Sequence, residues 1–181
     1  RFAREGLDIR IINPVTTYGP GDFRFRAGGR VVKEVCQRGA GLIPPGGTSW
    51  IDIRDLTDGI FLVEEKGISG ENYILSAGNL LYRELFRRIA EMCGIRAAGR
   101  VIPPRFKTLL VTTVRLREKV FSLIGKDCAV SPFQIEESFR YKYYDGSKAR
   151  TKLGFYPRRS LKDSITETLR FSRRYTPGGG Q

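Results

Sequence analysis

Apolar and polar positions alternate along the chain between strand-like runs and helix-like spacings. Residues 7–14 (LDIRIINP) form an apolar run typical of a strand. Residues 28–39 are predicted to form a helix that ends at Gly39, with Val31, Val32, Val35 and Cys36 on one face. Further strands are predicted at 49–53, in GENYILSAGN and in RVIPP, and further helices in LTDGIFLVEEKG, LLYRELFRRIAEMCG, residues 106–124, the segment from Ser131, and SLKDSITETLRFSRRY. This order of strands and helices predicts an α/β fold.

The helix starts carry recognisable capping residues. Asp55 is the predicted N-cap of its helix with Asp58 in the first turn, and we interpret both as caps and surface charges rather than a catalytic pair. Ser131 precedes Pro132 at a predicted helix start, and SLKD starts the last helix. The helix of residues 80–94 has an apolar face made of Leu81, Leu85, Phe86, Ile89 and Met92.

The loop after the first strand is the main candidate for ligand binding. The strand runs directly into IINPVTTYGPGD, whose two prolines and two glycines fix the backbone shape, and loops of this kind often line a ligand.

Composition favours one globular domain, with room for a lobe. The chain has 181 residues, 40% hydrophobic and 28% charged, without a long apolar run or a signal-peptide core at its start. The three cysteines are Cys36, Cys93 and Cys128; their spacing supports neither a disulfide framework nor a zinc site, and the chain has no histidine. We therefore expect no metal, no membrane partner and a reducing, cytoplasmic location.

The formal net charge of +13 raises the hypothesis of a nucleic-acid-binding module. The basic residues are spread along the chain in short pairs without a basic tract or a known nucleic-acid signature. A solvated basic surface is the favoured interpretation, and nucleic acid is not an expected partner.

The beginning of the sequence suggests a fragment. RFAREG is typical of a helix end and leads straight into a strand, which is the second half of an α/β crossover.

Four stretches in this order resemble the C-terminal half of an extended short-chain dehydrogenase/reductase. They are INPVTTYGPGD, SWIDIRDLTDGI, GENYILSAGNLLYRELFRRIAEMCG and YYDGSKARTKLGFYPRRSLKDSITETLRF. Within this group the sequence resembles the NAD-dependent epimerase/dehydratase branch. It is most similar there to enzymes of the dihydroflavonol-reductase type or the hopanoid-associated sugar-epimerase type. It implies the C-terminal part of a Rossmann-type doubly wound fold with a small α+β substrate-binding lobe: residues 1–22 end the dinucleotide-binding domain, 23–171 hold the rest of the sheet and the lobe, and 172–181 form a flexible tail.

The resemblance also implies site residues. Pro14 would pack near the nicotinamide ring, and backbone groups of Val15, Thr16 and Thr17 would bind its carboxamide. Tyr18, Phe23 and Arg24 would lie on the substrate side. For Thr16 and Tyr18 a purely structural turn, with Tyr18 as a packing residue, is an equal alternative. Arg24, Arg26 and Arg30 could meet a phosphate, although an exposed basic face is favoured.

The family's catalytic parts are not found in this sequence. No glycine-rich phosphate turn follows a strand, and the Ser/Thr and Tyr-x-x-x-Lys group is expected upstream of Arg1. Tyr144 and Lys148 have the bare spacing, but Gly146 and the late position indicate coincidence. We expect no catalytic residue here.

The predicted function is the substrate-binding half of an NAD(P)-dependent oxidoreductase or sugar epimerase/dehydratase. Such a chain alone would be inactive and would bind NAD or NADP weakly or not at all. Its expected partners are the missing N-terminal half and a small-molecule substrate, a sugar nucleotide or a hydroxy or keto compound, and the intact protein could form a homodimer. The alternative is a non-enzymatic accessory subunit or scaffold in which the helix of residues 106–124 faces a partner.

Overall fold

A computed structural model describes residues 5–23, 27–95, 99–123, 125 and 130–175. The predictions for Arg1–Arg4, Arg24, Arg26, Cys128 and the tail from residue 176 fall outside these residues.

The described strands are short, and most pair in parallel. They are β1 (Ile11–Pro14), β2 (Thr16–Tyr18), β3 (Leu42–Ile43), β4 (Gly47–Asp52), β5 (Asn72–Leu75), β6 (Gly78–Leu81), β7 (Arg100–Val101) and β8 (Tyr141–Lys142). Strand β1 pairs in parallel with β5, β2 and β8 pair in parallel with β4, and β3 pairs in parallel with β7. Strand β6 pairs with β4 in the antiparallel direction.

The described helices connect and cover these strands. They are α1 (Ala27–Arg38), α2 (Ile53–Lys66), α3 (Tyr82–Met92), α4 (Lys107–Leu123), α5 (Pro132–Ser138), α6 (Ser147–Leu153) and α7 (Leu161–Tyr175), with a 3₁₀ turn at Pro104–Phe106 before α4. The mixed α/β architecture with parallel strand pairs confirms the predicted fold class.

Two apolar clusters form the core. The first lies between α1, α3, α7 and strands β2 and β6, and it contains Tyr18, Val32, Val35, Leu80, Leu85, Ile89, Ala90, Leu161 and Ile165. The second joins α2 and α6 to β4 and β5, and it contains Ile51, Leu56, Val63, Tyr73, Leu75, Ala149, Leu153 and Phe155. Burial of these side chains is the main force that holds the helices against the strands.

Several helix ends agree with the sequence. Gly39 follows α1 with a positive φ of 79°, and Gly67 is the C-cap of α2. Ser131 caps α5 in a full capping box with the side chain of Gln134. The hydroxyl of Ser160 accepts a hydrogen bond from the backbone N–H of Asp163 at the start of α7.

The structure corrects the predicted loop at Pro14–Asp22. Its residues Thr16–Tyr18 form strand β2, because the β-branched threonines suit extended backbone and the segment pairs with β4. Strand β6 includes Leu80 and Leu81, which the sequence pattern predicts as the start of the third helix. Leu81 therefore lies on a strand and is partly exposed, outside the apolar face of α3.

The predicted N-cap of α2 is also wrong. Asp52 caps this helix, since its backbone is extended and its carboxylate accepts a hydrogen bond from the N–H of Arg54. Asp55 lies in the first turn and is buried. The sequence pattern places the cap three residues too late because the strand SWID and the helix follow each other without a loop.

The expectation of no disulfide is wrong as well. Cys36, near the end of α1, and Cys93, which caps α3, form a disulfide with their Cα atoms 5.5 Å apart. The two residues are 57 positions apart in the sequence, so only the packing of α1 against α3 shows that they meet.

Candidate functional site

The candidate site lies where β1 ends and β2 begins. Pro14 is the last residue of β1, which pairs with β5, and Thr16 is the first residue of β2, which pairs with β4. The chain therefore changes its strand partner at Val15. The carboxyl ends of parallel strands are where open α/β sheets bind ligands, and Pro14 is exposed there.

Val15 anchors this change of partner to the core. Its side chain is half-buried and packs against the second apolar cluster, as the side chains of Ile12 and Ile53 also do. The backbone at Val15 is consequently held in place while the preceding proline faces outward.

A line of hydroxyl groups starts at Thr16. Its Oγ1 lies 2.8 Å from Oγ1 of Thr48 on β4, and the Thr48 hydroxyl in turn donates to the carbonyl of Ser49 at 3.0 Å. The phenol of Tyr82 hydrogen-bonds to Thr48. Burial raises the pKa of Tyr82, against the opposing effect of the Thr48 hydrogen bond, so this hydroxyl stays protonated at neutral pH.

Thr17 and Tyr18 fix the shape of the segment. The Thr17 hydroxyl donates to the carbonyl of Val15 at 3.0 Å. Tyr18 is 2% exposed and packs in the first apolar cluster, and burial raises the pKa of its phenol. Gly28 is needed beside it, because a Cβ there would lie 3.0 Å from the Tyr18 ring and closer still to the Thr17 carbonyl. The burial of Tyr18 agrees with the packing interpretation.

The last helix closes on the loop after β2. The backbone N–H of Gly19 donates to Oγ1 of Thr168 on α7 at 2.8 Å, and both residues are buried. Gly19 has a φ of 128°, and a Cβ there would lie 2.5 Å from a methyl group of Ile53. Glycine is therefore required where the loop passes between α2 and α7.

Phe23 lies on the surface at the end of this loop. Its ring is 66% exposed and makes edge contacts with Phe171, centroids 4.9 Å apart, and with Tyr175, centroids 5.4 Å apart. The structure thus gives Phe23 aromatic neighbours on α7. Arg24 follows it outside the described residues, and Arg30 pairs with Glu34 on α1 at 2.8 Å.

A second polar cluster on β4 was missed by sequence reasoning. Ser49 is fully buried, and its hydroxyl donates to Oδ1 of Asn79 at 2.5 Å and accepts from the N–H of Tyr144 at 2.8 Å. Thr48 and Ser49 are neighbours on one strand and so project to opposite faces of it. The only sequence signal is the polar pair directly before the apolar residues Trp50 and Ile51 on β4.

Asp55 holds the segment before α7 to α2. Its carboxylate accepts hydrogen bonds from the backbone N–H groups of Arg158 and Arg159, and its Oδ1 lies 2.6 Å from the guanidinium of Arg159. The same guanidinium reaches Asp58 at 2.9 Å. This buried carboxylate is part of the scaffold behind the candidate site.

Asp52 makes a comparable link at the end of β4. Both carboxylate oxygens bind the guanidinium of Arg54, at 2.9 and 2.8 Å, and Ser164 on α7 adds a hydrogen bond. Burial acts to raise the pKa of Asp52, but the hydrogen bonds from Arg54 and Ser164 and the charge of Arg54 outweigh it and lower the pKa.

Tyr144 and Lys148 have separate surroundings despite their suggestive spacing. The Lys148 ammonium pairs with Glu71 and lies over the ring of Tyr73, 4.9 Å from its centroid. The side chain of Tyr144 is exposed, and its backbone N–H donates a hydrogen bond to the hydroxyl of Ser49. These contacts give Lys148 a structural role at the start of β5.

Among the described residues, no cluster of three or more acidic or cysteine side chains could hold a metal ion. Within the same residues, no helix has the length and apolar character needed to cross a membrane.

The chain resembles known reductases and epimerases over nearly its whole length. A protein of Synechocystis sp., provisionally named dihydroflavonol 4-reductase, is 28% identical over 171 residues, which are 92% of this chain and 49% of that protein. A nucleoside-diphosphate-sugar epimerase from Pseudomonas aeruginosa superposes with a TM-score of 0.76 at 27% identity, over 95% of this chain and 50% of that one. UDP-glucuronic acid 4-epimerase from Bacillus cereus, solved with UDP-glucuronic acid and NAD, superposes with a TM-score of 0.64 at 18% identity, over 94% and 47%. No protein-family model matches the chain.

The mixed α/β fold with parallel strand pairs is the Rossmann-type fold of these epimerase structures. The chain is similar in sequence to a dihydroflavonol-reductase-like protein and in structure to a nucleoside-diphosphate-sugar epimerase. It spans about half the length of the curated relatives it matches.

Proposed function

We propose that this chain is the substrate-side half of an NAD(P)-dependent oxidoreductase or sugar epimerase/dehydratase. The observation that carries the proposal is the change of strand partner at Val15, with the exposed Pro14 at the carboxyl end of β1. The reductase-like and epimerase relatives match 92% and 95% of the chain.

The local chemistry fits the nicotinamide end of the cofactor. A proline ring offers a compact apolar surface without an N–H to satisfy, and it is exposed where the heterocycle would lie. Backbone N–H and C=O groups of Val15, Thr16 and Thr17 are the donors and acceptors that a carboxamide needs. NAD or NADP, when bound, supplies hydride transfer at a hydroxyl or ketone carbon.

The residues of this chain would bind and orient the ring rather than move protons. The Thr17 hydroxyl holds the Val15 carbonyl, and the Thr168 hydroxyl holds the Gly19 N–H, so the segment between them keeps one backbone shape. A fixed backbone loses little conformational entropy when the ring binds. Tyr18, Phe23 and Arg24 would then lead into the substrate-binding lobe.

The remaining parts of such an enzyme would come from an N-terminal half. A glycine-rich pyrophosphate turn and a Tyr-x-x-x-Lys pair in suitable surroundings are the parts this sequence does not supply. Among the described residues, β1 pairs on one side only, and Ile11 is 47% exposed, so this edge could accept another parallel strand. In this proposal residues 1–22 end the dinucleotide-binding domain and 23–171 contain the rest of the sheet and the lobe.

The substrate class follows from the relatives and is proposed at that level only. Sugar nucleotides are the bound substrates in an epimerase neighbour, and reductase relatives suggest smaller hydroxy or keto compounds. The chain alone would have no turnover and would bind NAD(P) weakly or not at all, because the pyrophosphate site lies elsewhere.

The test is turnover by the protein as its gene expresses it. Oxidation of NADH or NADPH, and conversion of UDP-glucose and UDP-glucuronic acid in the presence of NAD, would be measured beside the isolated 181-residue chain. We expect activity in the longer gene product and none in the chain. Absence of both activities in a longer, folded product, together with a stable protein partner in a native pull-down, would instead favour the accessory-subunit function.

A further inference from the structure

Helix α4 has an unusually exposed apolar ridge. Leu109, Leu116, Val120 and Leu123 are 60%, 64%, 49% and 86% exposed. At 100° per residue these four side chains fall within an arc of about 60°, and they extend along about 21 Å of helix. We call them the α4 ridge.

The ridge is additional to the face by which α4 packs. Val111 is the buried residue of this helix, with Leu110, Val114 and Phe121 partly buried near the same side. That side lies toward α5, which has no buried residue of its own. A helix with apolar side chains on two faces needs a second apolar environment besides α5.

Basic side chains border the ridge on both sides. Arg117 lies about 80° to one side and Lys119 about 80° to the other, with Arg115 beyond it, and all three are exposed. Glu118, the acidic residue of α4, projects away from the ridge. The Arg117 guanidinium lies over the ring of Phe121, 4.9 Å from its centroid.

The charges beside the α4 ridge indicate which kind of partner binds it. A second copy of α4 would bring basic borders against basic borders in either direction, and such like-charge contacts disfavour pairing. An apolar ridge between rows of arginine and lysine matches a bilayer surface, where leucines enter the acyl boundary and cations reach anionic headgroups. The net charge of +13 favours the same kind of surface.

We propose that the α4 ridge docks this protein, parallel to the plane of the membrane, on an anionic lipid surface. This is a peripheral contact and needs no spanning helix. It is also independent of the cofactor site, because it rests on α4 and its basic borders alone. A helix that lies on the membrane surface needs neither a spanning segment nor a signal peptide, so the proposal departs from the sequence-based expectation of no membrane partner.

The test is co-sedimentation of the protein, as its gene expresses it, with two kinds of vesicle. One contains phosphatidylcholine alone and the other phosphatidylcholine with about one-quarter phosphatidylserine, each at low and high salt. We expect binding to the anionic vesicles that weakens with salt. The double variant Leu116→Glu with Leu123→Glu should bind on the order of 100-fold more weakly, since each leucine accounts for about tenfold.

Two matched variants make the result specific. Leu42→Glu with Ile68→Glu makes the same chemical change at two side chains that are 66% and 60% exposed outside α4, and it should bind almost as the unaltered protein does. Arg117→Gln with Lys119→Gln should reduce binding and its salt dependence. Circular dichroism would establish that every variant is folded.

The proposal is overturned if the unaltered protein does not sediment with anionic vesicles. It is also overturned if the two double glutamate variants bind equally, because binding would then depend on charge alone. A third outcome would also refute the proposal. If the unaltered protein does not bind vesicles but forms dimers in sedimentation equilibrium, and only the ridge variant is monomeric, the ridge binds a second copy of the chain.

Discussion

The hydroxyl of Thr168 accepts a hydrogen bond from the backbone N–H of Gly19 at 2.8 Å, across 149 positions of sequence. This contact ties the last helix to the loop that leaves the candidate nicotinamide segment. The same hydroxyl donates to the carbonyl of Ser164 within α7 at 2.8 Å, so it is fully engaged in a buried position. The shape of the loop therefore depends on the end of the chain.

Replacing Thr168 by valine should destabilise the protein by about 1–3 kcal/mol, because the buried Gly19 N–H would lose its acceptor. Urea unfolding measures this change. Thr166→Val is the matched control, since Thr166 lies on the same helix, is partly exposed, and donates its hydroxyl to the Lys162 carbonyl. If both variants unfold alike, the contact with Gly19 contributes nothing to stability.

Asp55 and Asp58 both pair with Arg159, but they should contribute different amounts to the stability of the folded protein. Asp55→Ala should cost about 3–5 kcal/mol, since it removes a buried partner of Arg159 and leaves two backbone N–H groups without an acceptor. Asp58→Ala should cost at most about 1 kcal/mol, because this carboxylate is 55% exposed. Thermal unfolding in parallel provides the measurement, and a larger effect at Asp58 would contradict this account of the scaffold.

Stability should fall in acid through Asp52. Its pKa is lowered in the folded protein, so the stabilisation is complete above the unfolded-state pKa of about 4 and is lost as the pH falls through the folded value. The free energy of unfolding would be measured from pH 7 to pH 3 for the native protein and for Asp52→Asn. The variant should be less stable at pH 7 and less sensitive to acid, whereas parallel curves would show that Asp52 does not contribute to the acid response.

The disulfide between Cys36 and Cys93 should stabilise the oxidised protein by about 4 kcal/mol, as expected for a closed loop of this length. Unfolding by guanidinium with and without a reducing agent gives the difference. Peptide mapping without reduction should recover residues 36 and 93 in one linked fragment. Cys36→Ser should match the reduced protein, and a native protein unaffected by reductant would refute a stabilising bond.

The sequence predicted the order of most elements because periodicity and capping residues are local signals. Gly39, Gly67 and the Ser131 cap could be recognised for this reason. Strand β2 could not, since Thr16–Tyr18 are extended only through pairing with β4, and a proline and two glycines nearby suggested a loop. Local pattern does not show which strand a short segment will find.

The candidate site divides in the same way. Pro14 to Thr17 are predicted as site residues because their motif resembles that of a known family. The hydroxyl contact of Thr16 with Thr48 and the buried cluster at Ser49 could not be predicted in this way, because they join residues 30 to 95 positions apart. Asp55 is predicted as a helix cap, whereas the structure buries it against Arg159, 104 positions away in the sequence. Long-range polar contacts of this kind have no signature in a single sequence.

The most direct test of the central claim is a comparison of NAD with ADP-ribose, which is NAD without its nicotinamide. Backbone amide NMR signals of the protein as its gene expresses it would be followed while each ligand is added to saturation. The account predicts that the amides of Val15, Thr16 and Thr17 shift with NAD and stay in place with ADP-ribose. Equal shifts with both ligands, or binding of NAD without any shift at these three amides, would contradict it.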